Sequence, residues 1–522
     1  MLVFSPAPPL RLLMGRWIQP ASRAASLVGP TRFRFLNREE ELCEVGWDSL
    51  TLPKLWVYNQ HYFDDLNAAD WRSRSEWHQI LVTKWIDNNK LGRGTGWDPY
   101  PTSLRIVNWV KWTLSGGALS REAQTSLANQ ARWLSERIEW HLLGNHLFAN
   151  AKALIFAGLY FEGREADSWR NRGVAILQQE IDEQFLKDGG QFELSTMYHA
   201  LAFEDLLDLI NIAGAFPGII PEELIRKLRR KAEAANDWLA VMSHPDGRIS
   251  FFNDAAFGIA PENDQLMLYA GRLGLVSPAI IEPLNYLDAT GYVRFSRDPV
   301  DLFVDLAAVG PHYLPGHAHA DTLSFELSLY RQRVFVNIGA SSYEPGPQRI
   351  YERGTAAHNT VVVGKRDSSE VWDAFRVGRR ASVTEANVTN NGDTLIAEGA
   401  HDGYVHLNGV GEHRRRFVLR RRSLLIEDTV SGAESAEASY HLHPDIEYTR
   451  TASNQVRLVL PTGNWINLVV QIGNLRIEDD KWHPEFGRVA FSSRLIITLV
   501  DGRAVLAIKW DANSHSRTHA DD

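Results

Sequence analysis

Gly316-His317-Ala318-His319-Ala320-Asp321-Thr322-Leu323-Ser324-Phe325-Glu326 runs on through Leu327, Ser328 and Leu329, and from Leu323 onward apolar and polar side chains alternate without a break. Successive side chains of a strand leave opposite faces, so the alternation predicts a half-buried strand of an antiparallel sheet. Just ahead of it stand two imidazoles and a carboxylate at two-residue spacing. Carried back along an extended backbone, that spacing puts His317, His319 and Asp321 on one side, at the mouth of the sheet. Such a cluster suits proton transfer, metal binding or both. The plainer alternative is a set of turn-forming, solvated side chains at a strand start.

The same alternation recurs outward from this stretch. Tyr292-Val293-Arg294-Phe295 and Asp301-Leu302-Phe303-Val304-Asp305-Leu306 precede it; residues 416–419, 423–428, 466–470, 495–499 and 504–508 follow. The number and spacing of these short runs predict a large β-sandwich. Upstream of residue 290 the period changes. Segments 71–89, 103–115, 119–139, 146–160, 165–186, 197–214 and 221–242 carry apolar residues at three- and four-residue spacing, separated by short polar, Gly or Pro breaks. A series of antiparallel helical hairpins follows, an array or toroid.

A chain of 522 residues exceeds what one hydrophobic core normally spans, which also predicts two domains. The net charge of −9 gives no sign of a nucleic-acid partner. Cys43 is the sole cysteine, so an internal disulfide and a CxxC metal site are excluded. The apolar N-terminus, Met1 to Arg11, is interrupted by three prolines and Arg11, and no signal peptide is expected from it, which points to the cytoplasm. No run of 18 apolar residues occurs, so no membrane span is expected.

Tryptophan is uneven: of 17, only Trp372, Trp465, Trp482 and Trp510 lie beyond residue 290. Trp56, Trp97, Trp109 and Trp112 stand near polar and glycine-rich segments, where indoles could stack on sugar faces; core packing is the alternative. Gly92 to Pro101 holds three glycines and two prolines and predicts a loop. The helix after it places Arg105, Asn108 and Trp109 on one side. Arg105 there either grips a substrate carboxylate or forms a buried ion pair. In His413 to Arg422 the arginines alternate between faces, which predicts a hairpin rather than one basic patch.

Five motifs in order, Gly144-Asn145-His146-Leu147, Tyr198-His199, Phe251-Phe252-Asn253-Asp254, Gly316 to Phe325, and Ala357-His358-Asn359-Thr360-Val361-Val362-Val363, resemble those of the heparinase II/III-like polysaccharide lyases. The resemblance covers roughly residues 50–430. It implies a multidomain α+β fold: an extension over 1–45, an incomplete (α/α) toroid over 46–290, and an antiparallel β-sandwich over 291–515. It also implies an anionic, uronic-acid-containing polysaccharide bound in the cleft between toroid and sandwich and cut by β-elimination.

By that resemblance Asn145 binds the uronate carboxylate with His146 as support, and Tyr198 and His317 are the acid/base pair. An N-cap role is the alternative for Asn145. Arg105, Trp109, Glu193, His199 and Asn253 are the expected substrate-binding residues; Glu193 and His199 could equally be surface residues, and a structural place in the loop after the turn Pro245-Asp246-Gly247 is the default for Asn253 and Asp254. In relatives, two histidines and an aspartate hold a divalent ion. The matching positions here are His319, Asn337 and His358, so a structural zinc or calcium would meet an amide in place of a carboxylate, a poorer ligand. A uronyl C5-epimerase and a non-catalytic polysaccharide-binding protein stay open as alternatives. Family analogy leaves a periplasmic or secreted location open as well.

Overall fold

The computed structural model describes residues 6–276 and 278–510. The first five residues of the N-terminal stretch and positions 511–515 of the expected sandwich lie outside them. The chain divides into two compact units, one of Met1–Gly189, Ala200–Asn236 and Ala260–Pro278, the other of Gly190–His199, Asp237–Ile259 and Ala279–Asp522.

The first unit is built from helices: Lys54–Tyr62, Ser75–Asn88, Pro99–Leu114, Arg121–Ser135, Gly144–Tyr160, Arg164–Gln184 and Asn263–Arg272, with most of Thr196–Ala215 and Glu222–Val241. Gly144–Tyr160 is apolar on nearly every side and buried along nearly its whole length, as expected of a helix surrounded by others. Arg164–Gln184 approaches it closely because glycines stand at the contact. A Cβ on Gly158 would lie 2.6 Å from the Ala166 carbonyl oxygen, and one on Gly173 would lie 2.6 Å from that of Ala151.

The expected loop over 92–101 is shorter than predicted. Asp98 is the cap and the helix starts at Pro99. A proline in a first helical turn lacks an N–H that would have no intrahelical partner anyway, so Pro99 and Pro101 open the helix rather than prevent it. Trp56, Trp97, Trp109 and Trp112 are all buried and belong to the core. Deep in this unit Lys111 and Lys152 meet Asp208 at 2.8 and 2.6 Å, and Lys152 meets Asp205 at 2.7 Å. Burial opposes a charged Asp208, but the two ammonium groups outweigh it and hold its carboxyl at about 2.

The second unit is antiparallel throughout its three main sheets. One has five strands in sequence order, Leu284–Leu287 to Gln332–Phe335; one has eight, from Val383–Asn390 at one edge to Glu447–Ala452 at the other; the third has four, including Val361–Val363 and Ala436–His441. A single buried apolar cluster draws on all three, with Phe325 and Leu327 from the first, Phe417 and Ile426 from the second, and Tyr440 and Ile497 from the third. His413–Arg420 pairs with Ser423–Val430 as the predicted hairpin. Arg415 is fully buried against Asp428 at 2.7 Å, while Arg414 and Arg416 on the other face are half-exposed and pair with Glu385 and Glu427.

The opening stretch departs from expectation at one point. The strand is Phe325–Leu329, and residues 317–324 are turns and loop. Leu323 has a left-handed backbone, φ 63°, which breaks the extended conformation ahead of the strand. Strand alternation therefore does not place His317, His319 and Asp321.

Candidate catalytic site

The loop holding the histidines is organised by the segment Phe251 to Asp254. Asn253 has φ 56°, a left-handed conformation that asparagine tolerates better than most residues. Its N–H donates to Asp321 Oδ2 at 3.0 Å, its Oδ1 accepts from the His319 N–H at 3.0 Å, and its Nδ2 donates to the Leu194 carbonyl at 3.0 Å. With every polar atom of its side chain committed, Asn253 ties loops together and leaves nothing for a substrate. The expected substrate contact is corrected to that role.

Asp254, next along, is fully buried and accepts from both imidazoles: His317 Nδ1 at 2.8 Å on Oδ2 and His319 Nε2 at 2.8 Å on Oδ1. Arg349 completes the group with a two-pronged contact, Nη2 to Oδ2 at 2.7 Å and Nη1 to Oδ1. Burial pushes the Asp254 carboxyl up, but the Arg349 charge and the two imidazole hydrogen bonds outweigh it and hold the group well below the usual carboxylate range. Because a carboxylate only accepts, His317 carries a proton on Nδ1 and its Nε2 is the atom left for chemistry.

His317 keeps 15% side-chain exposure, enough to be reached. The Tyr198 ring lies against it, centroids 4.0 Å apart, and the Tyr198 hydroxyl is 3.1 Å from that of Tyr343. Glu193 Oε2 is 3.7 Å from His317 Nε2. Glu193 is itself buried, with Oε1 accepting from Gln191 Nε2 at 3.2 Å. His199 is fully buried, its ring tilted against that of Trp238 with centroids 4.2 Å apart, and accepts from the Gln191 N–H at 3.2 Å. It holds the loop ahead of Tyr198 and is not a sugar contact.

The expected metal set does not assemble. His319 Nδ1 and His358 Nε2 face each other at 3.2 Å, a hydrogen bond between two imidazoles that burial keeps neutral. Asn337 turns its amide to the backbone, donating to the Phe251 carbonyl at 2.7 Å and accepting from the Asn359 N–H at 3.1 Å. Among the described residues no three His, Cys, Asp or Glu side chains converge to hold a metal ion. The donor set therefore does not fit the divalent ion that the motif suggests.

In the helical unit, Leu143 and Gly144 both have left-handed backbones, φ 56° and 52°, and turn the chain into helix Gly144–Tyr160. Leu143 is the cap residue, so Asn145 sits inside the first turn, half-exposed, and the N-cap alternative falls. His146 follows, its Nδ1 3.1 Å from Glu139 Oε1 and its ring 4.4 Å from that of Tyr100. Asn150 Nδ2 donates to the other oxygen of Glu139 at 3.0 Å, which fixes the carboxylate that orients His146.

Arg105 and Trp109 are corrected: both are fully buried. Arg105 Nε donates to Gln130 Oε1 at 3.0 Å, and its guanidinium lies 3.8 Å from the centre of the Trp85 ring. Desolvation holds its pKa well below the ordinary arginine value. Among the described residues it pairs with amide, carbonyl and ring and with no carboxylate, so it belongs to neither of the two roles considered for it.

A pH dependence follows from Asp254. Its folded-state pKa is depressed, so the stability it contributes is present above the unfolded value of about 3.9 and is lost as pH falls through the folded one. Asp428, buried yet held at about 2 by Arg415 and His413, acts in the same window. Denaturant midpoints are expected to fall as pH is lowered from about 4 toward 2, less steeply in Asp254→Asn. Equal slopes in variant and wild type would contradict the assignment.

Comparison with known proteins adds to this geometry. Residues 121–265 match the model described as heparinase II/III N-terminus, and residues 281–511 match heparinase II/III-like, C-terminal. A heparin-sulfate lyase of Bacteroides stercoris is 26% identical over 322 residues, 57% of this chain and 45% of that protein. One of Pedobacter heparinus is 24% identical over 473 residues, 81% of this chain and 66% of that protein. The chain thus spans about half to two thirds of the length of these relatives. Among solved structures, a heparinase III superimposes with TM-score 0.69 at 18% identity, covering 87% of this chain and 77% of that one. A chondroitinase AC lyase superimposes with TM-score 0.53 at 11% identity, covering 90% of this chain and 78% of that one. At these identities the structures speak for a shared fold of helical toroid and β-sandwich. With both family models matched in order along most of a chain that has this fold, the protein belongs to the heparinase II/III-like family.

Proposed function

We propose that the protein is a polysaccharide lyase that cleaves a uronic-acid-containing glycosaminoglycan by β-elimination, with His317 and Tyr198 carrying the proton transfers. The observation that carries this reading is the ring contact between Tyr198 and an imidazole whose Nδ1 is fixed by buried Asp254. The relatives named heparin-sulfate lyases support the substrate class.

The obstacle in this chemistry is the proton on C5 of the uronate, which is barely acidic while the adjoining carboxylate is negative. In the proposal Asn145 hydrogen-bonds that carboxylate and disperses the charge that grows on it, with His146 beside it. His317 Nε2 takes the C5 proton. The electron pair of the C5–H bond becomes the C4–C5 double bond, the C4–O bond breaks, and the departing oxygen receives the Tyr198 hydroxyl proton. A phenol keeps its proton at neutral pH unless cations draw it off, which suits Tyr198 to the acid step. Glu193 Oε2, 3.7 Å from His317 Nε2, stands beside the atom that receives the proton.

The test is incubation of wild-type protein with heparan-type, chondroitin-type and bacterial uronate polymers, following the ultraviolet absorbance of the unsaturated uronate end. A rise on one class is the expected result, with Asn145→Ala slowed by about 10²- to 10³-fold through loss of an electrostatic donor. Deuterium entering C5 from heavy water with no chain cleavage would overturn lysis in favour of epimerisation. Binding without either reaction would overturn catalysis altogether.

A further inference from the structure

Val371–Trp372 and Arg376–Val377 form a short antiparallel ribbon in the strand unit, with Arg376 directly opposite Trp372. Opposed residues of an antiparallel pair project from the same face, so indole and guanidinium stand side by side. Trp372 is 51% exposed, and Arg376 is exposed too, its guanidinium without an ion pair among the described residues. At the turn between them, Phe375 is 41% exposed and stands edge-on to the His317 ring, centroids 5.8 Å apart. Both rings leave aromatic area in water, that of Phe375 beside the His317 imidazole.

The ribbon is held firmly. Arg349 Nε donates to the Ala374 carbonyl at 3.1 Å, and Arg353 Nη1 donates to the carbonyls of Asp373 and Arg376 at 3.0 and 3.2 Å. The same two arginines fix the histidine loop, Arg349 through Asp254 and Arg353 through the Ala318 carbonyl at 3.0 Å from Nη2. One helix, Pro347–Arg353, therefore sets both the imidazole and the ribbon turn. A backbone fixed in this way needs no rearrangement of the ribbon when its side chains bind.

We propose that this ribbon is a binding subsite for an anionic sugar residue adjoining the one that reacts, with Trp372 and Phe375 meeting sugar-ring faces and Arg376 taking a carboxylate or sulfate. The aromatic faces select a saccharide over a free inorganic anion, and the planar guanidinium fits two acceptor oxygens at once. This deepens the lyase reading and rests on it.

The test compares wild type with Trp372→Ala, Arg376→Gln and Arg376→Lys, all checked for unchanged thermal unfolding. With a polymer that wild type cleaves, Trp372→Ala and Arg376→Gln are expected to raise KM about tenfold each, the equivalent of about 1.4 kcal/mol of binding, with kcat within about twofold. Arg376→Lys is expected to recover part of the loss, and raised salt to weaken wild type more than Arg376→Gln. Cleavage by wild type with unchanged KM in both variants overturns the subsite and leaves the lyase reading standing. If wild type cleaves no polymer, calorimetric binding of heparan sulfate decides: weaker binding by both variants supports the subsite, while equal binding, or none by wild type, overturns it.

Discussion

Asp254→Ala is expected to lower the unfolding free energy by about 3–5 kcal/mol, because it leaves the Arg349 charge buried without its partner. The guanidinium has 1% side-chain exposure and the carboxylate none. Neither can turn to water when the other is removed. The two imidazoles on the same carboxylate lose their acceptor as well, and buried donors without acceptors add to the cost. Denaturant unfolding measures the effect as a lower midpoint at unchanged slope. Replacing both members, Asp254→Ala with Arg349→Met, should restore part of the loss, since the uncompensated charge goes too. A single variant as stable as wild type would show that the pair is far better solvated than its burial indicates.

Tyr198→Phe is expected to leave the fold nearly intact and to lower kcat by about 10²- to 10⁴-fold, the range for loss of a positioned proton donor. The ring, which makes the 4.0 Å contact with His317, is retained. What goes is the hydroxyl and its 3.1 Å contact with Tyr343, a hydrogen bond worth about 0.5–1.5 kcal/mol to stability. The contrast with Asp254→Ala is informative: one variant loses stability and orientation together, the other loses chemistry. Turnover by Tyr198→Phe within about threefold of wild type would remove Tyr198 from the proposed reaction.

The elements were legible where periodicity is unbroken. Helix Gly144–Tyr160 and strand Phe325–Leu329 follow directly from apolar spacing. Legibility ends where backbone conformation changes without a sequence marker. Leucine gives no warning of the left-handed turns at Leu143 and Leu323, and these decide that Asn145 is no cap and that His317 lies in a loop. Spacing also named a helix side containing Arg105 and Trp109, but helical period cannot say whether that side faces solvent or other helices. The link that organises the histidines was invisible for another reason. Asp254 and Arg349 are 95 positions apart, and the aspartate reads locally as a loop residue. Tyr198 and His317 were paired by resemblance alone, since nothing local to either predicts the other.

The most direct test of the account is the initial rate at which heparan sulfate yields the ultraviolet-absorbing unsaturated uronate, measured with wild type and with Tyr198→Phe of equal thermal stability. The account predicts steady product formation by wild type and its near-complete loss in the variant at saturating polymer. Product formed at similar rates by both proteins would contradict it.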